Sequence, residues 1–165
     1  MFNRYTANRI IRLSDTLSSM DEVEFREHIS ELRLRLLREG ICSATLKPTF
    51  AMIREASGRA LGMRHHHTQI QVSLIMLRGM AAEMATGEGK TLACTLASIT
   101  AALAGVRVHV VTTNDYLAQR DCEEMRPLFD YLGVTSRALV NESTLEERQL
   151  IYSSDIMYCA NNELV

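Results

Sequence analysis

Residues 84–91 read Met84-Ala85-Thr86-Gly87-Glu88-Gly89-Lys90-Thr91, a set of side chains suited to holding a nucleoside triphosphate, with ATP the expected ligand. Glycines at 87 and 89 let the backbone turn tightly, so that several N–H groups converge on phosphate oxygens. A helix opening near Lys90 adds the positive end of its dipole. The Lys90 ammonium reaches the outer phosphates, and the Thr91 hydroxyl suits a Mg²⁺ ligand. Thr86 and Glu88 complete the expected binding loop, with Lys90 and Thr91 carrying the chemistry. One position departs from the general pattern G-x-x-x-x-G-K-[ST]: where that pattern has its first glycine, this chain has Met84. The competing reading is a glycine-rich turn that merely precedes a helix.

The loop needs elements to position it. A short apolar stretch, 80–84, reads as a strand running into the loop, and 90–104 has a helical pattern. Residues 106–111 are rich in β-branched side chains and read as a strand. A helix over 116–132 stops at Gly133, a strand follows over 134–140, and 155–159 is a further strand. Ser143-Thr144-Leu145-Glu146 has the form of a capping box that opens another helix. Strands alternating with helices imply right-handed crossovers and a parallel sheet. The fold class is therefore α/β, a P-loop sheet with flanking helices. Ahead of it, residues 1–62 form a helical segment distinct from a nucleotide-binding part over 63–165. Phe25, Ile29, Leu32 and Leu36 make one apolar stripe over 24–39, with Gly40 as its stop. Pro48 suits the first turn of a second helix, in which Phe50, Ile53 and Leu61 pack and which Gly62 ends. Ile10, Leu13 and Leu17 line one face of a third helix over 4–17.

Composition narrows the function classes. The chain has 165 residues, 47% of them hydrophobic, with two prolines and eight glycines, which describes a packed protein. A net charge of -2 offers no basic excess, so no nucleic-acid partner is expected. Cys42, Cys94, Cys122 and Cys159 stand outside any C-x-x-C spacing, which suggests neither zinc nor a redox pair. The start lacks a secretory apolar stretch, and the uncharged run 91–106 is too short to cross a membrane. A cytoplasmic protein is expected.

Several motifs together resemble the SecA family, the motor ATPases of bacterial protein export. The loop from Glu83 to Thr91, with Met in place of the first glycine, is similar to that family's ATP-binding loop. Arg54-Glu55-Ala56-Ser57, Gly62-Met63-Arg64-His65, Asn114-Asp115-Tyr116-Leu117-Ala118-Gln119-Arg120-Asp121, Arg126-Pro127-Leu128-Phe129 and Asn161-Asn162-Glu163 follow in the family's order. The resemblance implies a fold like that of superfamily 2 helicases, working on polypeptide. By position, Gln69 would hydrogen-bond adenine, Met63 and Arg64 would lie beside the base, and residues 86–91 would hold the phosphates and Mg²⁺. A glutamine amide, with donors and acceptors, suits an adenine edge, although a lone Gln read by itself is a polar surface residue. The implied partners are a membrane protein-conducting channel, preproteins and anionic lipid, at the inner face of the cell membrane, with a homodimer possible. Arg4, Arg9 and Arg12 among Phe2, Tyr5, Ile10 and Ile11 resemble the family's lipid-contacting end, and equally describe a solvated helix.

The sequence also departs from that family. His66 and His67 replace an aromatic and an acidic residue, so base stacking is expected to be weaker. Adjacent histidines on an irregular segment make poor facial ligands, and a metal role for His65, His66 and His67 is set aside. Hydrolysis needs a second carboxylate motif. Asp115 falls at a helix start and Asp155 opens its strand instead of ending it, so neither supplies it. The chain reads as truncated, which leaves three functions in contention: a SecA-like translocation ATPase, a nucleotide-binding module without turnover, and a helicase-like nucleic-acid ATPase.

Overall fold

The computed structural model describes residues 4–164; Phe2, read above as part of the first helix's apolar face, lies outside them. Four helices come first: α1 (Arg4–Leu17), α2 (Glu22–Glu39), α3 (Ser43–Leu61) and α4 (His67–Met76). The phosphate-type loop leads into α5 (Lys90–Leu103), followed by β1 (Val108–Thr112), α6 (Asp115–Tyr131), β2 (Ser136–Leu139), α7 (Leu145–Tyr152) and β3 (Ile156–Ala160), with a 3₁₀ turn over Asn161–Leu164. The strands form one parallel sheet in the order β1-β3-β2. Val108 and Ser136 both align with Ile156, so β3 is hydrogen-bonded on both sides and is buried throughout.

Because side chains alternate across a sheet, the strands serve two cores. Ile156 and Tyr158 face a large core that contains Ile10, Phe25, Leu36, Phe50, Leu96, Ile99 and Phe129, with Val108, Val110 and Ala138 packed against it. Met157, Cys159 and Leu139 face the other way and pack with Ile151 of α7. The large core is continuous from α1–α3 into α5, α6 and the sheet, so the leading helices and the α/β layer are packed together.

The structure moves several expected boundaries, and one cause recurs. Residues 80–84 are not a strand. In the turn after α4, Gly79 takes φ 71°, the Met80 N–H bonds back to Ile75 O at 3.4 Å, and residues 80–83 are exposed with no ladder partner among the described residues. The same device trims the strands after α5 and α6. Gly105 and Gly133 adopt positive φ, while the N–H groups of Val106 and Val134 return to Ala101 O (3.0 Å) and Phe129 O (2.9 Å). A β-branched residue after a C-terminal glycine thus closes the helix before the strand can begin.

Other shifts are local. α3 starts five residues before Pro48, because Thr45 Oγ1 accepts from Cys42 N (3.0 Å) and caps the helix there; Pro48 lies inside it. The capping box of α7 is Thr144 with Glu147, one residue beyond the expected Ser143 and Glu146; Ser143 instead accepts from Val140 N–H. α4 was not expected at all, and it places His67 on a helix rather than on an irregular segment.

Arg59 fastens α1 and α2 to α3. It bonds to Leu17 O (3.2 Å) and Met20 O (2.8 Å), lies 4.2 Å from the Phe25 ring centroid, and pairs with Glu55 at 3.0 Å. These bonds give donors to carbonyls at the end of α1 and in the turn after it, where Leu17 O also accepts from Met20 N–H. Glu55 is 2% exposed, so it needs its partners. Arg59→Ala is expected to cost about 3 kcal/mol in urea unfolding. Arg35→Ala, which breaks an exposed pair with Glu39, should leave the midpoint unchanged.

Candidate functional site

The loop before α5 owes its shape to two glycines in the left-handed region, Gly87 at φ 87° and Gly89 at φ 78°. They differ in surroundings. A Cβ on Gly87 would meet nothing within 4 Å, whereas one on Gly89 would lie 2.5 Å from Gln69 Nε2. Gly89 is the residue before α5 and leads straight into Lys90 and Thr91 in its first turn. Lys90 Nζ donates to Ala85 O (3.0 Å), and Ala85 N–H donates to the Glu88 carboxylate (3.2 Å), so the loop is closed by its own side chains. Thr86, Gly87 and Glu88 are exposed at its tip.

Gln69 is 5% exposed, which corrects the reading of it as a surface residue. Its Oε1 accepts from His66 N–H at 2.8 Å, and its Nε2 donates to Glu88 O at 3.0 Å and Gly89 O at 3.4 Å. The amide therefore joins the start of α4 to the phosphate-type loop. Ser73, one turn on, donates to Gln69 O (2.9 Å) and to Ala93 O of α5, which ties the two helices along their length. Met84, the departure from the general motif, is 8% exposed and packs with Val72 and Ala93. Its side chain anchors the entry of the loop against the α4–α5 seam, a role glycine could not fill.

Met63 and Arg64 lie on the connection between α3 and α4. Met63 is 47% exposed, and its carbonyl accepts from Ser57 Oγ. The Arg64 guanidinium pairs with Glu55 at 2.9 Å, crossing the bare backbone of Gly58, where a Cβ would sit 2.8 Å from Arg64 Nε. His65 points the other way, into the core. Its Nε2 lies 3.0 Å from both Leu92 O and Thr95 Oγ1. Burial, reinforced by the charges of Arg54 and His66, lowers its pKa to about 3. His67 Nε2 meets Arg4 O at 3.2 Å. The rings of His65 and His67 are thus committed to different partners.

Thr91 has a neighbour that the sequence did not reveal. Its Oγ1 donates to Asp121 Oδ2 of α6 at 3.4 Å, while Arg120 holds Asp121 Oδ1 through Nη2 (2.6 Å) and Nε (3.0 Å). Asp121 belongs to the quoted stretch 114–121, but a contact across thirty residues leaves no local signal. The carboxylates weighed earlier serve connections instead. Asp115 accepts from Asn141 N–H (2.8 Å), and Asp155 accepts from Thr135 N–H and Oγ1. Glu163, almost buried, receives Arg148 at 2.7 Å. A cavity of about 700 Å³ lies between α6, β2 and α7, lined in part by Arg126, Arg137 and Glu147. None of the loop residues lines it, so we give it no part in the site.

A parallel sheet flanked by helices, with a left-handed glycine loop opening α5, places the chain in the helicase-like α/β class. A profile of the SecA DEAD-like domain matches residues 3–165, and the chain belongs to the SecA family. Among relatives, it is 43% identical over 159 residues to protein translocase subunit SecA 3 of Magnetococcus marinus, covering 96% of this chain and 24% of that protein. It is 38% identical over 162 residues to SecA 2 of Nitrosospira multiformis, covering 98% and 24%. It is 45% identical over 149 residues to SecA 2 of Bordetella avium, covering 90% and 23%. The chain spans about a quarter of the length of these relatives.

Two expectations follow from this geometry. Gly89→Ala combines a strained φ with a contact that displaces the Gln69 amide, and should cost about 2 kcal/mol in chemical unfolding. Gly87→Ala, strained in φ alone, should cost about 1 kcal/mol. The second expectation concerns pH. The folded state keeps His65 neutral down to about pH 3, whereas an unfolded histidine protonates near 6.5. Its contribution is therefore full above about pH 6.5 and is lost as pH falls from there towards 3. Urea midpoints measured across that window should fall less steeply for His65→Gln than for the wild type.

Proposed function

We propose that this chain carries the ATP-binding part of a SecA-type translocation motor. The observation that carries the reading is the left-handed Gly87–Gly89 loop opening α5, with Lys90 and Thr91 in the first helical turn, in a chain of this family. The donors fit a polyphosphate. Backbone N–H groups at a helix N-terminus and one mobile ammonium suit phosphate oxygens, and the Thr91 hydroxyl suits Mg²⁺. Thr86, Gly87, Glu88, Gly89, Lys90 and Thr91 would hold the phosphates, with Lys90 leaving Ala85 O for a phosphate oxygen. Mg²⁺, when bound there, neutralises phosphate charge. Gln69 would read the adenine edge by exchanging a loop bond of its amide nitrogen for the base, with Met63 and Arg64 beside it. The Gln69 amide already touches the loop, so recognition of the base would bear directly on the phosphate cradle.

By kinship, the motor acts on preproteins at a membrane channel. The outward-facing Arg4, Arg9 and Arg12 of α1, all exposed, would meet anionic lipid. No helix among the described residues is long and apolar enough to cross a membrane. The reading of this stretch as a module that binds without turnover is favoured by one observation: Asp115 and Asp155 are both spent on backbone ties, leaving neither as a second carboxylate for hydrolysis.

Fluorescent ATP with millimolar Mg²⁺ tests the reading. The 165-residue chain should bind and release no phosphate above background, and Lys90→Ala should weaken binding at least tenfold. Binding that is unchanged by Lys90→Ala would overturn the assignment of the loop.

A further inference from the structure

A hydroxyl that serves as a metal ligand must turn a lone pair to the metal, which requires an acceptor for its proton elsewhere. Thr91 has such an acceptor in Asp121 Oδ2, 3.4 Å from Oγ1. The carboxylate is itself held. Arg120 binds Oδ1 with two nitrogens, leaving Oδ2 facing Thr91, and the Asp121 side chain is only 14% exposed. Its position is fixed from below as well, because α6 buries Ala118, Cys122 and Met125 on the face next to it. In the layer beneath, Cys122 and Tyr158 are buried and Cys94 is partly so. Cys94, Cys122 and Tyr158 are all pushed up from their ordinary pKa values by burial, and the Asp121 charge adds to the shift at Cys94 and Tyr158. A charge kept next to such a layer, and aimed at one hydroxyl, is not an ordinary surface carboxylate.

We infer that Asp121 is a positioning residue for the Mg²⁺–nucleotide site, accepting the Thr91 proton so that the Thr91 lone pair faces the metal. The inference rests on the nucleotide-binding reading above. Asp121 would act through Thr91 rather than on the ion itself, as partners of metal ligands commonly do, with losses of about 10–100-fold in metal affinity when removed.

The test is a double-mutant cycle on nucleotide affinity in the whole chain. Fluorescent ATP is titrated into wild type, Asp121→Asn, Thr91→Val and the double variant, each with Mg²⁺ and again in EDTA. Asp121→Asn is expected to weaken binding about tenfold or more with Mg²⁺ and to leave the EDTA affinity unchanged, and in the Thr91→Val background to have no further effect. Equal losses with and without Mg²⁺, or an undiminished loss in the Thr91→Val background, would overturn the inference while leaving the phosphate loop standing. A wild-type chain that binds no nucleotide under either condition overturns both. Circular dichroism and melting of each variant establish folding. Should Asp121→Asn fail to fold, Asp121→Glu carries the same test, since a longer side chain keeps the charge but misplaces the acceptor, and the Mg²⁺-dependent affinity must still drop.

Discussion

The amide of Gln69 holds the two halves of the site in register. Its oxygen accepts from the backbone where α4 begins, and its nitrogen donates to the backbone where the glycine loop meets α5. A side chain nineteen residues upstream of Glu88 thereby fixes a loop that has few bonds of its own. The requirement runs both ways. Gly89 must lack a Cβ so that the amide can approach, and the amide must be buried so that its bonds do not compete with water. Upstream, Arg54 extends the same support, binding His65 O, Ser14 Oγ and Asp15. The segment that carries Gln69 is thus tied to α1 and α3 before it reaches the loop.

Charge is used sparingly and in enclosed places. Glu55, buried, is matched by Arg59 on one oxygen and Arg64 on the other. One carboxylate therefore serves two tasks: it anchors the turn after α1, and it sets the direction of the Arg64 guanidinium on the connection to α4. The exposed pairs of α2, such as Arg26 with Glu22, belong to a different class, since solvent screens them. What distinguishes the sites near the glycine loop is not the number of charges but how few directions each can turn.

Much of this was legible in the sequence where a local pattern coincided with a local cause. The stripe of Phe25, Ile29, Leu32 and Leu36 is buried as its period requires, and glycines at 87 and 89 take the positive φ that a tight loop needs. The three strands of the sheet were read to within two residues at each end. The failures were of two kinds. α4 buries the consecutive residues Gln69 and Ile70, and then Val72, Ser73 and Leu74, so it has no apolar stripe to detect. Residues 80–84 are a short, mostly apolar run but carry no β-branched or aromatic residue; Met80 is spent closing the turn after α4, and the rest find no ladder among the described residues. Asp121 and Met84 were hidden for another reason: the meaning of each depends on a partner brought close only by the fold.

The strand order has a consequence for how the chain can be assembled. β1 and β2 are successive strands, yet among the described residues neither pairs with the other; each pairs with β3, which lies between them. No ladder bond of the sheet can form until residues 156–160 have been synthesised. On a ribosome, the helices and the glycine loop emerge as a largely local, α-helical layer, while Val108–Thr112 and Ser136–Leu139 wait with unpaired backbone. Residues 156–160 then supply the partner for both, so the pairing of β1 and of β2 depends on a strand that follows both of them in the chain.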